Sequence, residues 1–509
     1  MDKIGINFHA ILPETILSIF AIGIMMVDAF SRRLERRVAG AISVIGYLAA
    51  AVAVLSLWNK DGEIAYSGML ITDHFRLFFS LISLIVGILI VLISLRWIDE
   101  ENLPKGEYFA MLLFASTGML FMASANDLVM IFLGLEITSI ATYVLCGYRR
   151  NDLRSNESAV KYFILGSFST AFLLYGIAML YGASYNATAS PVATTNLLLL
   201  KERIAAGAIS TPAMLYAGAA MMIVGFGFKV ATAPFHIWSP DVYEGAPTPV
   251  TALLSTGSKA SAFAAFARVF ILTFAAAPIL TTTNKWLGDF QTTITNVLIV
   301  MAILTMTVGN LVAIVQTNIK RMLAYSSIAH AGYALVGLAA RDWRSVAFYM
   351  LGYVIINIGA FGIIEIIARK GDKRTDIADY AGIGFKSVGL ASLLSLFLLS
   401  LAGIPLTAGF MAKFLVFKSA WLQGSTNKLF YYLVVIGVIN SAISWYYYLK
   451  VIVAMYFSPE NKEYKKPVVA TSLATALLLS ALGTLYLGIL PNSVLNTLEK
   501  AREFIAIKK

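Results

Sequence analysis

The sequence predicts an all-α polytopic membrane protein with about fourteen transmembrane helices. Three observations carry that expectation. Of 509 residues, 59% are hydrophobic and only 13% charged, against ~25% charged in an average soluble domain. The mean hydropathy is +0.78. Apolar runs near the ~20 residues that span a bilayer as a helix recur along the whole chain. The ~10-residue alternating segments of a membrane β-barrel are absent from the pattern.

The runs fall at residues 10–30, 37–58, 72–97, 108–124, 127–147, 159–182, 211–238, 247–278, 293–316, 319–340, 344–369, 387–421, 428–457 and 467–490. The first has no basic region before it and no small-residue cleavage site after it, so it reads as a span rather than a removed signal. Residues 197–200 are too few to cross and belong to a loop. No loop is long enough for a separate soluble domain.

Loop charge sets the expected orientation. One series of loops is basic: Arg32, Arg33, Arg36 and Arg37; Arg96 and Lys105; Arg149, Arg150 and Arg154; Lys320 and Arg321; Arg369, Lys370, Lys373 and Arg374; Lys462, Lys465 and Lys466. The alternate loops are poorer, with Lys60, Lys201 and Arg203, Lys285, Arg341 and Arg344, and Lys428. The positive-inside rule puts the first series in the cytoplasm and both termini outside. The tail, with Lys500, Arg502, Lys508 and Lys509, goes against that trend.

Two runs look broken. The seventh holds Lys229 and then Pro234, and the twelfth holds Gly403, Pro405 and Gly409 ahead of Lys413. Proline removes a helix hydrogen bond and clashes with the preceding turn. Lys229 is expected to end the first half of its broken helix, and Lys413 to end the second broken helix. Matching breaks in two halves point to inverted-repeat transporters, here two five-helix repeats with broken helices 7 and 12. The corresponding division is an N-terminal three-helix segment (1–107), a first repeat (108–278), a second repeat (279–457) and a last helix with its tail (458–509).

Glu136, Lys229, Lys259 and Lys413 sit inside these runs. A charge at bilayer depth costs at least ~2.5–3.5 kcal/mol and usually faces protein or a water-filled cavity. Glu136 is nine residues past Asp127, about 13.5 Å into its helix and near mid-membrane. Burial weakens a lysine's hold on a proton and a nearby carboxylate strengthens it. A lysine whose partner moves therefore has a switchable proton affinity. Lys259 lies among Thr251, Ser255, Thr256, Ser258 and Ser261, which make either a hydrated lining or a small-residue packing face. His330, and more weakly His236, have the chemistry of a proton relay. The bland alternative for all of them is a set of structural ion pairs, or lysines capping carbonyls freed by the breaks. Glu157 and Lys161 suit an interfacial anchor. Asp241 and Glu244, in a proline-rich connection, suit a tight turn, a subunit contact or a proton funnel.

The net charge of +11 follows from basic loops and gives no reason to expect nucleic acid. The single cysteine, Cys146, excludes an intrachain disulfide and a cysteine-ligated cluster. His9, His74, His236 and His330 form no metal motif, and no GxGxxG or Walker A motif follows a strand-like run. No cofactor is expected in this chain.

Three segments carry a family resemblance: KVATAPFHIWSPDVYEGAPTPVTALLSTGSKA (229–260), NIKRMLAYSSIAHAGY (318–333) and AGIPLTAGFMAKF (402–414). They resemble the subunit N family of bacterial respiratory complex I, the proton-pumping NADH:quinone oxidoreductase. This antiporter-like family is related to Mrp-type cation/proton antiporter subunits. The resemblance runs from about the fourth span to the thirteenth and is less distinct over the first three. It implies fourteen helices, inverted repeats, and a proton-translocating role in the membrane arm with no redox centre. Glu136 resembles the family's helix-five glutamate and Lys229 the lysine paired with it. Lys259 falls on the central helix-eight position and Lys413 on the helix-twelve position; His330 matches a histidine of the second half. The resemblance also implies partners: sister antiporter-like subunits, small membrane subunits and the bilayer of the bacterial inner membrane. NAD, FMN, iron–sulfur clusters and quinone would reside in other subunits. The alternatives are a subunit of a multi-subunit cation/proton antiporter, a scaffold, or the equivalent subunit of a ferredoxin- or deazaflavin-linked relative.

Overall fold

The computed structural model describes residues 7–30, 36–58, 62–187, 191–209, 211–274, 285–459 and 467–500. Arg32, Arg33, Lys60, Lys462, Lys465, Lys466, Arg502, Lys508 and Lys509 lie outside them. A 3₁₀ turn leads into α1 (Leu12–Phe30) and α2 (Arg36–Ser56). A small antiparallel hairpin, β1 (Glu63–Ala65) and β2 (Leu70–Thr72), precedes α3 (His74–Glu100). Then come α4 (Gly106–Ser124), α5 (Leu128–Cys146), α6 (Leu153–Ser184), the short α7 (Leu197–Ala205) and α8 (Pro212–Val230). After α9 (Trp238–Gly245) follow α10 (Thr248–Leu253), a π-helical turn (Leu254–Ser258), α11 (Lys259–Ala267) and a second π-helical stretch (Arg268–Thr273). The remaining helices are α12 (Lys285–Ile314), α13 (Ile319–Ala339), α14 (Trp343–Ala368), α15 (Ile383–Lys386), α16 (Val388–Ala402), α17 (Ala408–Gln423), α18 (Leu429–Phe457), α19 (Thr471–Ile489) and α20 (Asn492–Lys500).

Among the described residues, twelve helices are long and apolar enough to cross a membrane. The chain is a nearly all-helical, multi-pass membrane protein. Three of the expected runs are interrupted, the one at 211–238 because α8 stops at Val230. The run at 247–278 is not one uniform α-helix, because π-turns divide it on both sides of α11. The run at 387–421 is split into α16 and α17, and α16 is too short for a full crossing. The hairpin and the helical character of Trp238–Gly245 were not expected from the sequence.

Helix starts are set by polar caps: Asp73 accepts from the Arg76 amide (2.7 Å), Asp127 from Val129 (2.8 Å) and Asn318 from Lys320 (3.0 Å). Such caps satisfy amides that have no helical partner. Helix pairs approach through glycine, since lipid gives no hydrophobic drive for helices to associate. A Cβ on Gly309 of α12 would stand 2.5 Å from the Ala329 amide of α13, and one on Gly332 2.6 Å from the Met306 amide. α13 and α14 are the most enclosed of these spans, buried along nearly their whole apolar length.

Closed ion pairs fasten the ends of the bundle. Arg76 holds Glu14 (3.0 Å), and Arg268 holds Asp73 (2.8 Å), joining α3 to α1 and to the segment after α11. On the face carrying the basic loops, Asp372 accepts from Lys320 (3.0 Å), Arg149 (3.1 Å) and the Thr248 hydroxyl (2.9 Å). Burial pushes the Asp372 carboxyl up, but Lys320 and Arg149 outweigh it and hold the group below the usual carboxylate range. A depressed carboxyl contributes stability above its unfolded value and loses it as pH falls through the folded one. Asp372→Asn is therefore expected to destabilise the detergent-solubilised protein by about 3–5 kcal/mol at neutral pH, the range for breaking a buried pair. In thermal unfolding, the deficit closes as pH falls below the carboxylate range.

The α16–α17 break depends on Gly409, where a Cβ would overlap the Ser400 carbonyl. Gly409→Ala must push the half-helices apart, at an expected cost of about 1–3 kcal/mol for overpacking. A lowered melting temperature would show it.

Candidate functional site: a line of buried lysines

α5 carries Glu136, α8 carries Lys229 next to its last residue, and α11 begins with Lys259 just past the π-turn. π-turns inside helices recur at functional sites. α13 carries His330 and α17 carries Lys413. Lys229, Lys259 and Lys413 are 5%, 1% and 4% exposed. Glu136 is half-buried.

The Lys229 ammonium donates to Ser139 Oγ (2.8 Å) and Tyr162 Oη (3.0 Å), with the Tyr162 ring centroid 5.2 Å away. The Glu136 carboxylate accepts instead from Thr170 Oγ1 (2.9 Å). No contact within 4.0 Å pairs the two charges. A cavity with about 10 Å³ open to the centre of a water borders Ser139, Tyr143, Thr170 and Lys229, roughly the space one water needs. The expected Glu136–Lys229 pair is thus open in this structure, with each partner held by hydroxyls.

Lys229 does not cap the broken helix. α8 ends at Val230, and Ala231 is left-handed (φ 59°), so the break begins before Pro234. The freed carbonyls are taken by Trp238 Nε1, which donates to Phe228 O (2.8 Å), and by Thr232 Oγ1, which donates to Gly227 O (3.2 Å).

The Lys259 ammonium donates to Ser327 Oγ (2.6 Å) and Ser327 O (2.9 Å), and Tyr353 Oη donates to the same Ser327 hydroxyl (2.7 Å). The Tyr353 ring lies 5.1 Å from the His330 ring. His330 Nδ1 meets Tyr349 Oη (2.6 Å), and its Nε2 is 3.3 Å from Tyr448 Oη. On the far side, Lys413 Nζ lies 4.8 Å from the centroid of the Tyr333 ring, which is itself 5.7 Å from His330. Lysine, serine, tyrosine, histidine, tyrosine and lysine thus follow one another from α11 to α17.

Lys229 lies in the first half of its broken helix. Lys413 lies beyond its break but, contrary to the expectation from sequence, does not end its helix: it is the sixth residue of α17, which runs on to Gln423. Its ammonium nevertheless reaches back across the break, donating to Ala402 O at the end of α16 (3.1 Å) and to Ser441 Oγ (2.9 Å). Gly403, left-handed at φ 96°, turns the chain there without a Cβ penalty.

Among the described residues these lysines differ from the other buried cations. Arg76, Arg149, Arg268 and Lys320 each hold a carboxylate. Among the described residues, Lys229, Lys259 and Lys413 hold none. Each makes two hydrogen bonds, and a bond to a charged group contributes about 1.5–3 kcal/mol. Two such bonds can offset an insertion cost of about 2.5–3.5 kcal/mol without a counter-ion. Closed ion pairs are thus found at the fastenings of the fold and, among the described residues, not at these three lysines.

The other candidates sit apart from it. Lys161 pairs with Glu157 (2.7 Å) and Asp241 (2.8 Å), and Arg321 with Asp241 (2.8 Å) and Glu244 (2.9 Å). The acids of the proline-rich connection thus tie α9 to α6 and α13. His236 lies in the α8–α9 connection, its Nδ1 buried without a hydrogen-bond partner. Sequence reasoning missed the bridging hydroxyls Ser139, Tyr162, Thr170, Ser327, Tyr353 and Ser441, which nothing in the pattern marked. Among the described residues, no group of three or more His, Cys, Asp or Glu could hold a metal ion.

The chain can be set beside known proteins. The family model for the transmembrane region of NADH:quinone oxidoreductases and Mrp antiporters matches residues 125–444. That for the N-terminal part of NAD(P)H-quinone oxidoreductase subunit 2 matches residues 3–96. NADH-quinone oxidoreductase subunit N of Trichlorobacter lovleyi is 43% identical over 503 residues, covering 98% of each chain. A chain of respiratory complex I from Thermus thermophilus superposes with a TM-score of 0.77 at 31% identity, over 95% of this chain and 98% of that one. A chain of the archaeal membrane-bound sulfane sulfur reductase gives a TM-score of 0.82 at 25% identity, over 98% of both. The chain belongs to the subunit N family of NADH-quinone oxidoreductases.

Proposed function

We propose that this chain is a proton-translocating, non-redox subunit in the membrane arm of an NADH:quinone oxidoreductase of the bacterial inner membrane. The observation that carries the reading is three lysines buried in the membrane interior with neutral partners and no counter-ion. An ion pair would fix their charge. Hydroxyl and carbonyl partners let them gain and lose a proton without leaving a carboxylate stranded.

The open Glu136–Lys229 arrangement supplies the switch. When the carboxylate approaches, it strengthens the lysine's hold on its proton; when it withdraws, that hold weakens. A proton released from Lys229 passes to Lys259, through Ser327, Tyr353 and His330, and on to Lys413. Quinone reduction in partner subunits, which hold the NAD, FMN, iron–sulfur and quinone sites, supplies the energy. The neighbours in the arm are sister antiporter-like and small membrane subunits, and both termini face the outer side. The breaks at α8–α9 and α16–α17 mark the equivalent points of the two inverted repeats.

Lys229→Ala is expected to abolish most NADH-driven acidification of membrane vesicles while the complex still assembles, since it breaks no closed ion pair and Glu136 stays held by Thr170. Arg268→Ala is expected to do the reverse. It strands Asp73 and should cost about 3–5 kcal/mol in stability, seen as reduced assembly on native gels. Normal pumping in an assembled Lys229→Ala complex would contradict the proposal.

A further inference from the structure

The seam between α3 and α14 holds a buried acid outside the lysine line. Glu365, on α14, is 5% exposed, and its Oε2 has no hydrogen-bond partner. The other buried acids among the described residues are engaged: Glu14 by Arg76, Asp73 by Arg268, Asp372 by Lys320, and Asp127 by the Val129 amide and Thr195. Glu365 makes no ion pair among the described residues. Arg96, the cation on the facing helix, holds Glu100 through Nε (2.6 Å) and leaves its Nη1 buried without a hydrogen-bond partner. The other groups that face the carboxyl are Glu101 on the connection after α3, Asp372 after α14 and Tyr108 on α4.

The seam leads both outward and inward. A Cβ on Gly362 would lie 3.3 Å from Ile93 of α3 and 3.2 Å from Leu477 of α19. About one turn further along α3, a cavity of about 760 Å³ lies between α3 and α19, with Arg96, Asp99, Glu100, Thr471 and Ser472 in its wall. Inward, Asn357 sits eight residues back, about 12 Å along the helix. Asn357 is fully buried, its Oδ1 has no partner, and its Nδ2 donates to Tyr353 O (3.0 Å). Tyr353 belongs to the Lys259–Ser327 cluster.

We propose that Glu365 is a proton-exchange site that links the α3–α19 cavity to the Lys259 cluster. A buried carboxylate with no closed ion pair and an unpartnered oxygen is costly, and a bound proton removes the cost. The carboxyl gives its proton to a file of waters that would span the ~12 Å along α14 to Asn357 Oδ1, and it regains one from water in the cavity. No other reactant is needed. The inference rests on the translocation reading.

The test uses the intact complex. Dicyclohexylcarbodiimide, an apolar reagent, reacts with protonated carboxyls and not with carboxylates. Treated at neutral pH, the wild-type complex is expected to carry the label on Glu365, found by peptide mass spectrometry and lost as pH rises. Glu365→Gln is expected to lose part of the protons moved per NADH oxidised, and Glu365→Asp to restore them. An unlabelled Glu365, or a Gln complex that pumps as wild type across the pH range, overturns the inference. Should the Gln complex not assemble, the wild-type labelling decides. Lys229→Ala is measured alongside. Its normal pumping would sink the translocation reading itself, whereas its failure beside a normal Gln complex would sink only the role of Glu365.

Discussion

A charge inside a bilayer must be neutralised or solvated by protein, and this chain solves the problem in two distinct ways. At the ends of the bundle it closes charges into pairs, Arg76 with Glu14, Arg268 with Asp73, and Lys320 and Arg149 with Asp372. Breaking such a pair strands a buried charge, so the pairs lock helices in place. Along the middle it surrounds lysines with hydroxyls and carbonyls. Those dipoles solvate an ammonium and also tolerate a neutral amine. The first solution gives rigidity, and the second leaves protonation free to change.

The irregular backbone serves the second solution. Regular helices consume their own carbonyls, so a membrane helix offers polar groups only from side chains or at breaks. The α16–α17 break presents the Ala402 carbonyl to Lys413. The α8–α9 break spends its freed carbonyls on Trp238 and Thr232, leaving Lys229 to face Ser139 and Tyr162. Two breaks that look alike in sequence thus treat their lysines differently. The π-turn before Lys259 is a third irregularity, set where α11 meets Ser327 of α13.

Much of this was legible in the sequence, because lipid demands long apolar runs and makes a buried charge conspicuous. The spans, the two breaks and the four charged positions all follow from that demand. What stayed hidden depends on contacts between distant segments. Ser327 is 68 residues from Lys259, and one serine among many carries no mark of that partnership. Lys413 was expected to end its helix, yet the helix-compatible residues after it carry α17 on to Gln423, with Gly424 as its cap. The hairpin β1–β2 has three residues per strand, too few to show an alternation.

The central claim is that the line's lysines must release protons and not merely hold positive charge. Lysine and arginine separate these roles, since arginine keeps its charge at any pH a protein meets. The most direct measurement is proton movement per NADH oxidised by the assembled complex carrying Lys413→Arg, reconstituted in liposomes. If the line conducts protons, the variant assembles and oxidises NADH but loses proton movement. Undiminished proton movement with arginine at that position would show that charge alone suffices and would contradict the account.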